Sequence, residues 1–227
     1  MSVNLVQYNN LLEELKPSAT TLIAVSKTKP NEDIMGLYGA GQKDFGENYV
    51  QELVAKAEVL PKDIRWHFIG HLQSNKIKYI ASFVHLIHGV DSIKLLEAIN
   101  KEGKKINKKI NCLLQVHIAQ EETKFGFDQQ EALEAAQQVF QGEQFSHVAV
   151  CGLMGMASFS DDEAQVRKEF QALKGLFDKI KDLKETPSTF DTLSMGMSGD
   201  YRLAIEEGSN MVRVGSLLFG ARNYPTI

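Results

Sequence analysis

Ile23-Ala24-Val25-Ser26-Lys27-Thr28-Lys29-Pro30 decides how the rest of this chain is read. An apolar run with β-branched members ends on a lysine, and a turn signal follows at once. That places a primary amine at the C-terminal tip of a strand. In α/β folds, ligands gather at the C-terminal ends of strands. A lysine partly withdrawn from water there loses some preference for its charged form and becomes a nucleophile toward aldehydes. Taken alone, the stretch reads better as a solvated loop lysine. Its setting in the sequence reverses that preference.

Outward from this run, apolar strand-like segments recur near 21–27, 43–47, 65–70, 84–90, 109–118, 147–154, 191–195 and 211–219. Helical patterns fill most gaps, near 31–40, 49–60, 74–82, 92–102, 128–140, 161–183 and 199–207. Residues 3–16 carry Val3, Val6, Leu11, Leu12 and Leu15 among polar positions, an amphipathic helix stopped by Pro17. The pattern at 161–183 is the clearest, with Asp161 or Asp162 as its cap and Val166, Phe170, Leu173, Leu176, Phe177 and Ile180 as its apolar stripe. Strand–helix alternation predicts an α/β fold with a parallel sheet. About eight unbroken units favour a closed (β/α)8 barrel of the TIM type over an open doubly wound sheet, with an extra N-terminal helix. No low-complexity linker or repeat interrupts residues 1–227, so one domain is expected.

Composition narrows the function classes. Hydrophobic residues make up 43% and charged residues 24%, as in an ordinary soluble protein. The net charge of -4 argues against a nucleic-acid binder, and the basic run 101–109 reads as a solvated helix end. Cys112 and Cys151 lie in apolar runs without metal spacing, so they read as buried free thiols in a reducing compartment. No run has the length of a membrane span, and the N-terminus lacks signal character. A cytoplasmic protein with no membrane partner is expected. His67, His71, His85, His88, His117 and His147 form no recognisable metal pattern. His85 and His88 would fall on opposite faces of a strand.

In a barrel, strand ends define the site. Lys27 ends the first strand, Asn48 the second, and His67 and Gly70 lie at the end of the third. Asp91 follows the fourth, Ser194 and Met195 end the seventh, and Arg213 lies within the eighth. The last two strands run into Ser194-Met195-Gly196-Met197-Ser198-Gly199-Asp200 and Arg213-Val214-Gly215-Ser216. Loops after strands seven and eight commonly bind phosphate in barrels. Glycine admits close approach of an anion to backbone amides, and serine adds donors. Ser198 is placed to cap the helix that follows, and Asp200 has to point away from any phosphate. An amine from one strand and a phosphate cradle from two others suit pyridoxal 5′-phosphate. Arg213 facing the pyridine nitrogen would keep it unprotonated and weaken the ring as an electron sink.

Seven stretches carry a family likeness: AVSKTKP at 24–30, FGENYVQE at 45–52, WHFIGHLQSNK at 66–76, KFGF at 124–127, GLM at 152–154, LSMGMSGD at 193–200 and MVRVGSLLFGAR at 211–222. On these the chain resembles the pyridoxal-phosphate homeostasis proteins, which are similar to the N-terminal barrel of alanine racemases. The resemblance implies a pyridoxal-phosphate (PLP) barrel of fold type III. It makes Lys27 the Schiff-base lysine and Arg213 the partner of the pyridine nitrogen. Ser198, Gly199, Gly215 and Ser216 become the phosphate turns, and Asn48, Ser194 and Met195 line the cofactor. Lys29 matches a second family lysine of open role.

The racemases add a β-rich domain that supplies a catalytic tyrosine across a dimer interface, and racemisation needs an acid or base on each face of the α-carbon. The chain ends at Ile227 without such a domain, and Tyr49 and Tyr201 read as packing residues. The expectation is therefore a monomeric, non-catalytic PLP carrier that buffers the cofactor or passes it to apo-enzymes. A PLP-dependent amino-acid racemase is the alternative.

Overall fold

In the computed structural model, residues 3–119 and 125–220 are described. Lys124 of the KFGF stretch and Ala221-Arg222 of the last motif lie outside them. Eight strands close a barrel in chain order: β1 (Thr21–Val25), β2 (Asp44–Glu47), β3 (Arg65–Phe68), β4 (Leu86–Val90), β5 (Ile110–Val116), β6 (Val148–Gly155), β7 (Thr192–Met197) and β8 (Met211–Val214). All pairings are parallel, and β8 closes on β1 through Thr21–Met211, Leu22–Val212, Ile23–Arg213 and Ala24–Val214. This is the TIM barrel that the alternation predicts.

The helices are α1 (Leu5–Leu15), α2 (Asn31–Gly39), α3 (Val50–Val59), α4 (Ile77–Ile80), α5 (Ile93–Lys105), α6 (Gln129–Gln141), α7 (Glu163–Lys181), α8 (Tyr201–Glu206) and α9 (Ser216–Phe219). Of the two aspartates before α7, Asp162 is the cap, its carboxylate accepting from Ala164 and Gln165. The Tyr8 and Leu11 face of α1 is buried, and Asn4 N donates to Leu218 O at 2.9 Å, so the N-terminal helix is seated against α9.

Several boundaries depart from the sequence pattern, among them the first strand, which stops at Val25 short of Lys27. The eighth strand stops at Val214, because the Gly215 carbonyl takes the N–H groups of Leu218 and Phe219 and curls that apolar run into α9. The seventh strand continues past Met195 to Met197. The cap position of α8 belongs to Asp200, not Ser198.

Period-two alternation sorts the strand residues into two layers. Phe45, Val212, Val214 and Met195 face the helices in the main core, whereas Ile23, Leu86, Leu113, Met154 and Met211 form a small apolar plug inside the barrel. The plug does not fill the interior. Asp44, His67, His88, Ser194 and Arg213 are also buried, on the same inward alternation. Charged and polar groups in that position need partners from one another.

Candidate functional site

The β1–β8 register makes the turns after these two strands neighbours at the mouth. A methyl added at Gly215 would lie 3.3 Å from Val25 Cβ. Lys27 is half-buried, two residues beyond the end of β1. Its turn is held from below by a buried ionic cluster that also explains the sequence around it. Ser26 N donates to Gly46 O at 3.0 Å, and Ser26 Oγ donates to Glu47 Oε1 at 2.5 Å. Lys56 Nζ, from α3, donates to Ser26 O at 2.8 Å, Glu47 Oε1 at 2.8 Å and Glu52 Oε1 at 2.6 Å. Thr28 N donates to the same Glu52 oxygen at 2.6 Å. Both neighbours of Lys27 are thus tied to one cluster. Thr28 is held at φ 62°, a conformation a β-branched residue seldom adopts, which marks the turn as constrained by its partners. Burial pushes the Glu47 carboxyl up, against the pull of Lys56. Lys29 Nζ donates to Phe219 O at 2.8 Å and ties the turn to the end of α9.

Arg213 is buried on β8, next to the strand that carries Lys27. Its Nη1 donates to Ser194 O at 2.9 Å and Ser194 Oγ at 2.6 Å, and its Nη2 donates to Gly155 O at 2.9 Å. Burial lowers its pKa to about 10, which still leaves a cation at neutral pH.

The two glycine-containing loops meet, since Gly215 N donates to Ser198 Oγ at 3.1 Å. Gly199 has open space on the side where a Cβ would stand, and Gly199 and Ser216 are exposed. Gly196 turns the β7 end at φ +95°, and a methyl there would lie 2.6 Å from Ala204 Cβ. Asp200 points into its own loop, where its Oδ1 accepts from Met197 N at 2.5 Å, and burial raises its pKa. Asn48 packs against the end of β3: a methyl on Gly70 would collide with the Asn48 carbonyl oxygen. Asn48 Oδ1 is buried without a hydrogen-bond partner, an acceptor that the protein leaves unmet.

Eight of the nine residues nominated from sequence therefore lie on the mouth or on the inner wall below it. Met195 is the exception, because its side chain is fully buried in the sheet–helix core. Of the two tyrosines weighed for racemase chemistry, Tyr49 is exposed and the Tyr201 hydroxyl donates to Glu14 at 2.7 Å. Cys112 is buried, Cys151 only half-buried, and burial raises both thiol pKa values.

A match to the model of the alanine racemase N-terminal domain runs over residues 5–223. The pyridoxal phosphate homeostasis protein of Pasteurella multocida is 41% identical over 210 residues, covering 91% of this chain and 88% of that protein. The protein of the same name from Schizosaccharomyces pombe is 41% identical over 88% of this chain and 84% of its own. This chain belongs to the pyridoxal phosphate homeostasis family, within the alanine racemase N-terminal domain fold. PipY of Synechococcus elongatus, solved with PLP bound, superposes with a TM-score of 0.82 at 34% identity, covering 94% of this chain and 98% of PipY. Alanine racemase of Clostridium difficile shares the fold alone, with a TM-score of 0.75 at 15% identity over 99% of this chain and 57% of that one. No helix among the described residues is long and apolar enough to cross a membrane.

Two groups of residues escape a linear reading of this family member. Glu52 and Lys56 stand four apart on α3, a visible helix pair, but nothing in the sequence says that Glu47 and Ser26 complete their cluster. The histidines read as unrelated, yet the rings of His85 and His88 both lie 5.2 Å from that of His67. His85 precedes β4 rather than lying in it, so the expected opposition of faces does not arise. Asp44, His67 and His85 bring possible metal-ligand atoms within 4.8 Å of one another. Both Asp44 oxygens are already engaged by Arg65, whose guanidinium repels a cation there.

Proposed function

We propose that this protein binds PLP at the barrel mouth and acts in its homeostasis as a carrier, holding the cofactor reversibly and releasing it to apo-enzymes. The observation that carries the reading is the buried Arg213 on the strand beside the Lys27 turn, below two joined loops with open glycine and serine positions. PLP supplies an aldehyde electrophile and a phosphate handle. Lys27 Nζ would bond to the aldehyde carbon as a Schiff base, with the carbonyl oxygen leaving as water. Ser198, Gly199, Gly215 and Ser216 would take the phosphate. Ser194 orients Arg213 toward the pyridine nitrogen, and Asn48 offers its unmet acceptor to a polar group of the ligand. The fit is good: one unmet polar atom, one pinned cation and two adjacent loops are what a phosphorylated pyridine needs. PLP-bound PipY, similar over nearly the whole chain, supports PLP as the ligand. The unit proposed to do this is the whole of residues 1–227.

Borohydride reduction after incubation with PLP, followed by peptide mapping, tests the reading. One pyridoxyl adduct on Lys27, lost in Lys27→Ala with the fold retained, is the expected result. An adduct on Lys29, or scattered labelling of surface lysines, would overturn it. A racemase would instead exchange the α-proton of an amino acid with solvent deuterium faster than free PLP does, and a carrier would not.

A further inference from the structure

A line of hydrogen bonds runs through the barrel interior, away from the mouth. Arg213 Nη1 donates to Ser194 Oγ at 2.6 Å. Ser194 Oγ lies 3.3 Å from His88 Nδ1. His88 Nε2 lies 2.9 Å from His67 Nδ1, and His67 Nε2 lies 3.0 Å from Asp44 Oδ1. The five side chains come from β8, β7, β4, β3 and β2, and all are buried. Arg65, whose side chain is half exposed at the start of β3, donates Nε to Asp44 at 2.7 Å.

Donor chemistry places every proton in this line. A guanidinium only donates, so Ser194 Oγ accepts from Arg213 and has its own proton left for His88 Nδ1. His88 must then carry its proton on Nε2 and give it to His67 Nδ1. His67 in turn carries its proton on Nε2 and gives it to Asp44, which as a carboxylate only accepts. With both rings neutral, this arrangement alone satisfies every link. Burial lowers the pKa of both rings, His88 most strongly, with the charge of Arg213 adding to the effect there. Burial would raise Asp44, but hydrogen bonds from His67 and Arg65 bring it down to about 2. A cation at one end and an anion at the other prevent the line from reversing. A second proton on His67 would fall on Nδ1 and meet the His88 Nε2 proton at 2.9 Å, and one on His88 would fall on Nδ1 and meet the Ser194 hydroxyl proton at 3.3 Å.

We propose that His88 and His67 are positioning residues for the cofactor's ring: through Ser194 they hold the Arg213 guanidinium in place, and so keep the pyridine nitrogen of PLP unprotonated. This rests on the PLP reading above. A cation on Asp44, His67 and His85 is the rival use of these groups, and it would have to displace Arg65 and the proton between His67 and Asp44.

The test is the ¹⁵N resonance of ring-labelled PLP bound to the full chain at neutral pH, with the ¹⁵N spectra of the histidines. The wild type should show an unprotonated ring nitrogen and two neutral rings protonated on Nε2. His88→Phe and His67→Phe should move the PLP resonance toward the protonated position and weaken PLP binding about fivefold, the loss of one ordinary hydrogen bond. His88→Gln, which offers an acceptor and a donor on one side chain, should restore both. His67 hydrogen-bonds to His88 and Asp44 and to neither Arg213 nor Ser194, so a shift in His67→Phe reports transmission along the line. An unchanged PLP resonance in both Phe variants overturns the proposal, as does wild-type His88 protonated on Nδ1. Should circular dichroism show the Phe variants unfolded, Ser194→Ala and Asp44→Asn take their place, with the same shift expected and no shift overturning it. A wild type that fails to bind PLP would sink the binding reading itself, a different outcome from bound PLP with unmoved resonances.

Discussion

Replacing Lys56 by methionine tests whether the ionic cluster organises the Lys27 turn. The substitution keeps the length of the side chain and removes three hydrogen bonds, to Ser26 O, Glu47 Oε1 and Glu52 Oε1. Glu52 is partly exposed and recovers by solvation, but Glu47 has no exposed side-chain surface and its Oε2 already lacks a partner. Removing one member of such a buried pair costs about 3–5 kcal/mol. The loss should carry a pH signature. The Glu47 pKa is raised in the folded protein, so the fold binds this proton more tightly than the unfolded chain does. Without Lys56 that pKa climbs further, and the deficit against wild type grows as pH rises above the wild-type folded pKa of Glu47, by about 1.4 kcal/mol per unit until the new folded pKa is reached. Urea unfolding of Lys56→Met should therefore show a larger deficit against wild type at pH about 8 than at about 5. PLP loading on Lys27 should fall in parallel, because Ser26 and Thr28 lose their common anchor. In the double variant Glu47→Gln/Lys56→Met, the cost should be less than the sum of the singles, since no charge is stranded. A deficit below about 1 kcal/mol, flat with pH, would refute the reasoning and make the cluster a surface-type ion pair.

Other outcomes follow from single contacts. Asp44 is held at about 2, against an ordinary 3.8, so its contribution is complete above the ordinary value and is lost as pH falls through the lower one. The stability gap between wild type and Asp44→Asn should narrow by about 2 kcal/mol between pH about 5 and about 2, and an unchanging gap in acid titrations would contradict this. Asp162→Ala removes the cap of α7 and should lower unfolding free energy by about 1 kcal/mol with PLP binding untouched; a loss of binding would point to a role beyond capping. Arg213→Glu places a carboxylate where the guanidinium stands and should shift the absorbance of bound PLP toward a protonated ring, whereas an unchanged spectrum would remove Arg213 from the nitrogen.

Much of the fold was legible because each unit carries its own signal. The 161–183 stripe, the short β-branched runs and the punctuating Gly and Pro residues determine a helix or strand locally, and their alternation determines a parallel barrel. Lys27, Arg213 and the paired glycine loops could be nominated because strand ends define a barrel's site once the strands are counted. The apolar run after Gly215 misled, since a strand and a short buried helix look alike at that length. Met195 misled for a related reason: belonging to the right strand does not say which layer a side chain enters. The sequence by itself determined the order of elements and the amine at the first strand end. Only the tertiary structure decided that Ser26, Glu47, Glu52 and Lys56 share one cluster, and that Asp44, His67, His88, Ser194 and Arg213 form one line. Such sets join residues tens to more than a hundred positions apart. Their partners are chosen by barrel closure and strand register, long-range geometry of which local periodicity carries no trace.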